Sequence, residues 1–236
     1  MERGALEVRL VPTGNDEMDR RINGIPHPSI IMMEGDHGTG KTIVAGQLTY
    51  GFLSVGMKGV FVTTEGLTLD FITKMMSVKI DLYKYLNHGL VVAPVNVRGF
   101  KWNSVLAWRL LSRFSQYIFT QKRCDFAIID SLTVMASFPN QLQVLDFIRD
   151  CRLLTQRGTT TILTVHPGAL PEVLLTEMKS MVDVYFRLSA VSIGGRRLKS
   201  LERIKSTGGF GGSDIVSFDI DPAIGLKVVP LSVSKS

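Results

Sequence analysis

Residues 35–42 read Gly-Asp-His-Gly-Thr-Gly-Lys-Thr and match the spacing G-x-x-x-x-G-K-[ST] at every fixed position. An apolar, β-branched run from Ser29 to Glu34 enters this stretch, and a helical pattern from Lys41 to Val55 leaves it. That context gives the spacing its meaning. Gly35, Gly38 and Gly40 let backbone N–H groups turn inward around an anion, and a helix starting near Lys41 aims the positive end of its dipole at the same point. The predicted ligand is a nucleoside triphosphate. The loop residues Asp36, His37 and Thr39 complete the cradle. Lys41 is expected to reach the β- and γ-phosphates, and the Thr42 hydroxyl to bind Mg²⁺.

Short apolar runs alternate with helical patterns along the first half, the signature of a parallel sheet with crossover helices. Strands are predicted at Ser29–Glu34, Gly59–Thr64, Leu90–Val95, Asp125–Asp130 and Thr159–Val165. Helices are predicted at Lys41–Val55, Trp102–Phe119 and Asn140–Gln156, the last on a stripe of Leu142, Leu145, Ile148, Cys151 and Leu154. The final third changes character. Two strand patterns flank Gly194-Gly195, a hairpin signal, and two more follow within 213–229. They predict an antiparallel extension of the same sheet, so residues 1–236 are expected to form one α/β domain. Thr207 to Gly212 reads as a loop.

Three strand ends carry candidate chemistry. Asp130 closes an apolar strand, which would place it at the carboxyl edge beside the phosphate loop, holding a magnesium-bound water. Ser131 can add a hydrogen bond there. Glu65, after the strand Gly59–Thr64, is the candidate catalytic group that orients water, or else an exposed helix-capping acid. His166 ends the strand before Pro167 and either senses the γ-phosphate through an N–H or is an ordinary loop histidine.

Composition narrows the alternatives. Lys and Arg number 27 against 21 Asp and Glu, a formal charge of +6, which suits nucleic acid, acidic lipid or an acidic protein and decides among none of them. The longest apolar runs are too short to cross a bilayer, and the first ten residues, with Glu2 and Glu7, lack the apolar region of a signal peptide. Cys124 and Cys151 have no metal-ligand or disulfide spacing and suit a reducing cytosol as small core residues.

Taken together, Thr13 to Pro26 (T-G-x-x-x-x-D-x-x-x-x-G-I-P), the loop GDHGTGKT, FVTTE and IIDSLT resemble the RecA-like ATPases of the KaiC type. Within them the chain looks most like the branch that serves the archaellum, the archaeal flagellum, from about Thr13 to Lys227. The resemblance implies ATP and Mg²⁺ as ligands and a ring, commonly a hexamer, with nucleotide between neighbouring subunits. It makes Arg203 and Lys205 candidate contacts to the neighbour's nucleotide, the alternative being a solvated basic strand face. It further implies a cytoplasmic protein beneath the membrane motor, touching the membrane only indirectly, with the motor ATPase FlaI and the scaffold FlaX as partners. KaiC-type ATPases commonly place two adjacent glutamates after FVT-x; here the pair is Glu65-Gly66. Weak or absent hydrolysis, with ATP binding that stabilises the ring, is therefore expected. The competing expectations are an active ring ATPase and a recombinase-like single-stranded DNA binder. The latter would use RRLKSLERIK and FKWNS. The stretch MMSVKIDLYKYL is expected to be a core-facing helix.

Overall fold

The central strand of this protein is apolar on both faces. In β3 (Ile30–Gly35) all six residues are buried, as a parallel strand covered on two sides requires. The computed structural model describes residues 7–95, 103–193, 196–208 and 215–230. Around β3 runs a nine-stranded sheet made of β4 (Gly59–Thr63), β5 (Leu90–Pro94), β6 (Phe126–Asp130), β7 (Thr160–Val165), β8 (Val184–Ile193), β9 (Arg196–Ser206), β10 (Ile215–Asp221) and β11 (Gly225–Val228). Its order is β11-β10-β9-β8-β3-β7-β6-β4-β5. From β8 to β5 neighbouring strands are parallel, while β9, β10 and β11 are antiparallel. The C-terminal extension therefore starts one strand later than its sequence suggests, because β8 itself joins β3 in parallel. β1 (Arg9–Val11) and β2 (Ile25–His27) form a separate two-stranded ribbon.

Alternation along β3 feeds two cores. Ile31 and Met33 join one with α2 (Lys41–Ser54), α1 (Asp16–Ile22) and α3 (Thr68–Met76). Ile30 and Met32 join the other with α4 (Ser104–Thr120), α5 (Leu132–Ala136), α6 (Gln141–Thr155) and α7 (Glu172–Met181). Helix α2 is buried along most of its length, which its glycines make possible. A Cβ at Gly51 would lie 2.2 Å from the carbonyl oxygen of Pro12, and one at Gly46 would lie 2.2 Å from Met75 Sδ.

Two sequence expectations need correction. MMSVKIDLYKYL is core-facing but is not a helix: α3 ends at Met76, Lys79 takes a left-handed φ of 60°, and a 3-10 turn follows at Tyr83–Tyr85. Met75 is buried from the last turn of α3, and Ile80 and Leu82 from the segment after it. In α6 the stripe loses Leu142, which is 68% exposed in the first turn, while Val144 and Phe147 complete the buried face. Trp108 packs half-buried against the second core. Trp102, the rest of FKWNS before Asn103, the Gly194-Gly195 turn and Gly209 to Gly212 lie outside the described residues. Cys124 and Cys151 are both free. Burial pushes the Cys124 thiol up to about 12 and the Cys151 thiol higher still.

Candidate nucleotide site

The carboxyl ends of β3, β7, β6 and β4 lie side by side in the sheet, and each delivers one candidate group. β3 runs into the loop 35–42, whose Gly38 and Gly40 adopt left-handed φ values of 77° and 93°. Thr39 tightens the loop through its hydroxyl, which donates to the Asp36 carbonyl at 2.8 Å. Helix α2 begins at Lys41 directly behind Gly40, so its N-terminal dipole faces the loop.

Lys41 is buried, and its Nζ donates to the carbonyls of Gly35 at 2.5 Å and Asp36 at 2.9 Å. It also lies 3.3 Å from Nδ1 of His166, past the end of β7. An ammonium only donates, so Nδ1 accepts and the neutral ring carries its proton on Nε2. Burial lowers the pKa of Lys41, opposed by the charges of Asp130, Glu65 and Asp36. His166 is lowered by burial first, then by Lys41 and His37. The His37 and His166 rings stack with centroids 4.1 Å apart and planes inclined by 27°.

Asp130 ends β6 fully enclosed. Thr164 of β7 donates to its Oδ1 at 2.6 Å, while Oδ2 is buried with no hydrogen-bond partner. Burial raises its pKa; the Thr164 hydrogen bond and the nearby Thr42 hydroxyl, which makes no hydrogen bond to Oδ2, act against that rise. An uncompensated buried carboxylate oxygen is costly. With Thr42 on the adjoining helix it forms an oxygen donor pair suited to a hard cation such as Mg²⁺. Among the described residues no cluster of three or more His, Cys, Asp or Glu forms a protein-only metal site. A cation here would therefore take its remaining ligands from water and phosphate, as Mg²⁺ ordinarily does.

Ser131, joined to Asp130 by a cis peptide, is buried. Its hydroxyl accepts from Thr133 N at 3.1 Å and caps α5, and its own N–H donates to Thr64 Oγ1 at 3.0 Å. It supports the strand end and does not line the cavity. Glu65 follows β4, is largely exposed, and pairs with Lys74 of α3 at 3.6 Å.

The phosphate loop, Glu65, Lys74, His166 and Ile220 surround a cavity of about 300 Å³. Arg203 and Lys205 are elsewhere. On β9 they pair with Phe186 and Tyr185, which are level with Met33 and Met32 of β3, down the sheet from Gly35. Arg203 donates to the carbonyl of Ile22 at the end of α1, at 3.3 Å. Lys205 donates to the carbonyls of Lys179 and Ser180 in the last turn of α7, at 3.1 and 2.8 Å. Both sit where a helix C-terminus favours a cation.

Sequence reasoning missed several members of the site. Lys199 of β9 lays its stem 3.1 Å from where a Cβ on Gly40 would stand, with Ile220 and Phe218 beside it. No local signal marks them, because strands far along the chain bring them to the loop. Lys74 could have been found as an i+9 neighbour of Glu65 only once α3 was placed. Thr133, whose hydroxyl accepts from His166 N at 2.8 Å, anchors that histidine from α5.

Comparison with known proteins agrees with this architecture. The family described as "ATPase: KaiC" matches residues 11–233. The archaeal flagellar ATP-binding protein FlaH of Sulfolobus acidocaldarius is 48% identical over 228 residues, covering 96% of this chain and all of that protein. The FlaH of Methanocaldococcus jannaschii is 30% identical over 239 residues, covering 98% of this chain and all of the relative. The crystal structure of the flagellar accessory protein FlaH from that organism superposes with a TM-score of 0.85 at 27% identity, over 95% of this chain and all of the other. The chain belongs to the KaiC-type ATPase family and, within it, to the FlaH proteins.

Proposed function

We propose that this protein is the ATP-binding regulatory component of an archaellum motor, holding Mg²⁺·ATP between the phosphate loop and Asp130. Nucleotide then stabilises a ring, a hexamer by family resemblance, and that ring engages the motor ATPase FlaI and the scaffold FlaX. It works at the cytoplasmic face of the membrane. Among the described residues no helix is long and apolar enough to cross a bilayer, so contact with the membrane would run through partners.

The contrast between the two halves of the cavity carries this reading. On the binding side, Lys41 lines the cavity buried and hydrogen-bonded, with Asp130 enclosed behind it at the end of β6 and held by Thr164. On the water-activating side, Glu65 stands exposed beside a lysine, and the next position is a glycine with φ 98°. A general base works from a fixed place within hydrogen-bond reach of the attacking water; Glu65 tied to Lys74 with no second carboxylate beside it supports slow or absent hydrolysis. A ligand that binds the assembled form better shifts the equilibrium by its differential affinity without being consumed. Arg203 and Lys205 would contact the neighbouring subunit's nucleotide after leaving their helix ends.

The second reading is an active ring ATPase, favoured by Glu65 still lining the same cavity as His166. A quenched time course with labelled ATP and Mg²⁺, measuring bound ATP and ADP together, separates the two. Lys41→Ala serves as the blank. Persistent bound ATP without ADP above that blank supports the held-nucleotide reading; steady ADP production overturns it.

A further inference from the structure

We propose that His37 and His166 act as one proton-linked selector for the terminal phosphate, so that a triphosphate draws a proton onto the stacked pair and a diphosphate does not. This rests on the ATP-binding reading and adds to it a mode of discrimination.

The two rings reach each other from the phosphate loop and from the segment beyond β7, and both line the cavity. His166 is fixed twice, through its backbone N–H on Thr133 Oγ1 at 2.8 Å and through Nδ1 facing Lys41 Nζ at 3.3 Å. That second contact uses Nδ1 as an acceptor, which demands an unprotonated nitrogen. His166 therefore sits beside an ammonium that disfavours a positive charge on its ring.

The surrounding charges come from several elements. Lys41 projects from α2, Asp36 neighbours His37, and Glu65 stands past β4 with Lys74 of α3 on its carboxylate. Asp130 lies enclosed at the end of β6, and Lys199 lies along Gly40. Burial together with Lys41 and His37 disfavours the charged form of His166, against the weaker pull of Glu65 and Asp36. A terminal phosphate reverses that balance in two ways. It offers Lys41 a stronger acceptor than Nδ1, and it puts negative charge beside the rings. Nδ1 is then free to take a proton, and the pair can donate to the phosphate through a charged imidazole. A diphosphate lacks the charge that drives the change.

Binding that raises a pKa takes up a proton between the free and bound values, and affinity falls as pH rises through that window. Titration calorimetry of the full chain with Mg²⁺·ATP and Mg²⁺·ADP, in buffers of different ionisation heat at pH 7, counts the protons directly. The expected result is uptake approaching ~1 proton for ATP and near zero for ADP, with the ATP dissociation constant rising by up to ~10-fold per pH unit. In His166→Gln the uptake with ATP should vanish, and in His37→Asn it should fall. Equal uptake for the two nucleotides, or uptake that survives in His166→Gln, overturns the selector alone. Absence of binding by either nucleotide overturns the ATP reading and the selector together.

Discussion

Replacing Lys179 with methionine isolates the electrostatics directly beneath the phosphate loop. Glu34, the residue before Gly35, is only 8% exposed, and Lys179 Nζ lies 2.7 Å from its Oε2. The Tyr185 hydroxyl donates to the same oxygen, and the ammonium rests 5.0 Å from the tyrosine ring centre. Burial acts to raise the Glu34 pKa, but hydrogen bonds from Lys179 and Tyr185 and the Lys179 charge outweigh it, so the net direction is downward. Methionine keeps an unbranched stem and removes the charge. A buried carboxylate then remains with the Tyr185 hydroxyl and the more distant charge of Arg187. Breaking a buried pair costs about 3–5 kcal/mol, and because the Lys179 side chain is 31% exposed, water offsets part of that. The expected loss at pH 7 is about 2–3 kcal/mol, or about 4–12 °C in Tm for a chain of this size. The pH dependence has a fixed sign. With Lys179 present, the folded pKa of Glu34 lies below its unfolded value, so its contribution is present above the unfolded pKa and lost as pH falls through the folded one. Without Lys179, burial is opposed only by the Tyr185 hydrogen bond and the Arg187 charge, so the folded pKa moves up and the Glu34 contribution is lost at a higher pH than in the parent. The gap between the two proteins should therefore narrow from pH 7 towards pH 4.5. Urea unfolding at several pH values measures it. A gap that stays constant with pH, or a loss below about 0.5 kcal/mol at pH 7, would refute the assignment of Glu34 as a buried anion held by Lys179.

Three further outcomes test other parts of the structure. Asp130→Asn removes a carboxylate whose Oδ2 is buried without a partner, so Mg²⁺·ATP should no longer raise the melting temperature. In the parent protein, saturation at 100 times Kd should be worth about 2.7 kcal/mol, read by thermal shift with and without Mg²⁺. Gly51→Ala would place a Cβ 2.2 Å from the Pro12 carbonyl oxygen and 2.5 Å from the Thr13 carbonyl carbon. Because both are backbone atoms, a loss of about 1–3 kcal/mol in chemical denaturation is expected. Replacing Arg203 and Lys205 together by alanine should cost the isolated chain at most about 2 kcal/mol, since each cation at a helix end contributes about 0.3–1 kcal/mol. ATP-dependent assembly, followed by light scattering, should be lost.

The sequence made the parallel half of the fold legible because each of its strands is a short apolar run closed by a residue of distinct chemistry. Gly35, Asp130 and His166 end or follow β3, β6 and β7 at the expected edge. Lys41 was legible from its spacing alone. The turn after α3 was not, since Val78, Ile80 and Leu82 are all buried yet lie around a left-handed Lys79 and not along a helix face. Periodicity records which residues are buried, and a compact turn can bury as many as a helix. Lys199, Phe218 and Ile220 were invisible for a different reason. Their proximity to Gly40 depends on how β9 and β10 add to β8, a long-range register that no local pattern encodes. Ser131 was read as adding a hydrogen bond beside Asp130; its oxygen accepts from Thr133 N at the start of α5, a cap role that serine favours, and its O–H is left to donate elsewhere.

The placement of Arg203 and Lys205 constrains how any ring can work. Neither residue reaches the cavity of its own chain, since β9 carries both away from the loop edge that Lys199 occupies. In the isolated chain their donors satisfy carbonyls at the ends of α1 and α7. A neighbour's triphosphate would have to draw them off those carbonyls, and the attraction to a multiply charged phosphate exceeds what a helix end offers a cation. Lys205 has one more connection. One of the two carbonyls it holds belongs to Lys179, whose side chain holds Glu34 at the base of the phosphate loop. Moving Lys205 would release two carbonyls of the last turn of α7, and a cycle of Lys179→Met, Lys205→Ala and the double variant, read by ATP-dependent assembly, tests the link: additive losses refute coupling between the two lysines.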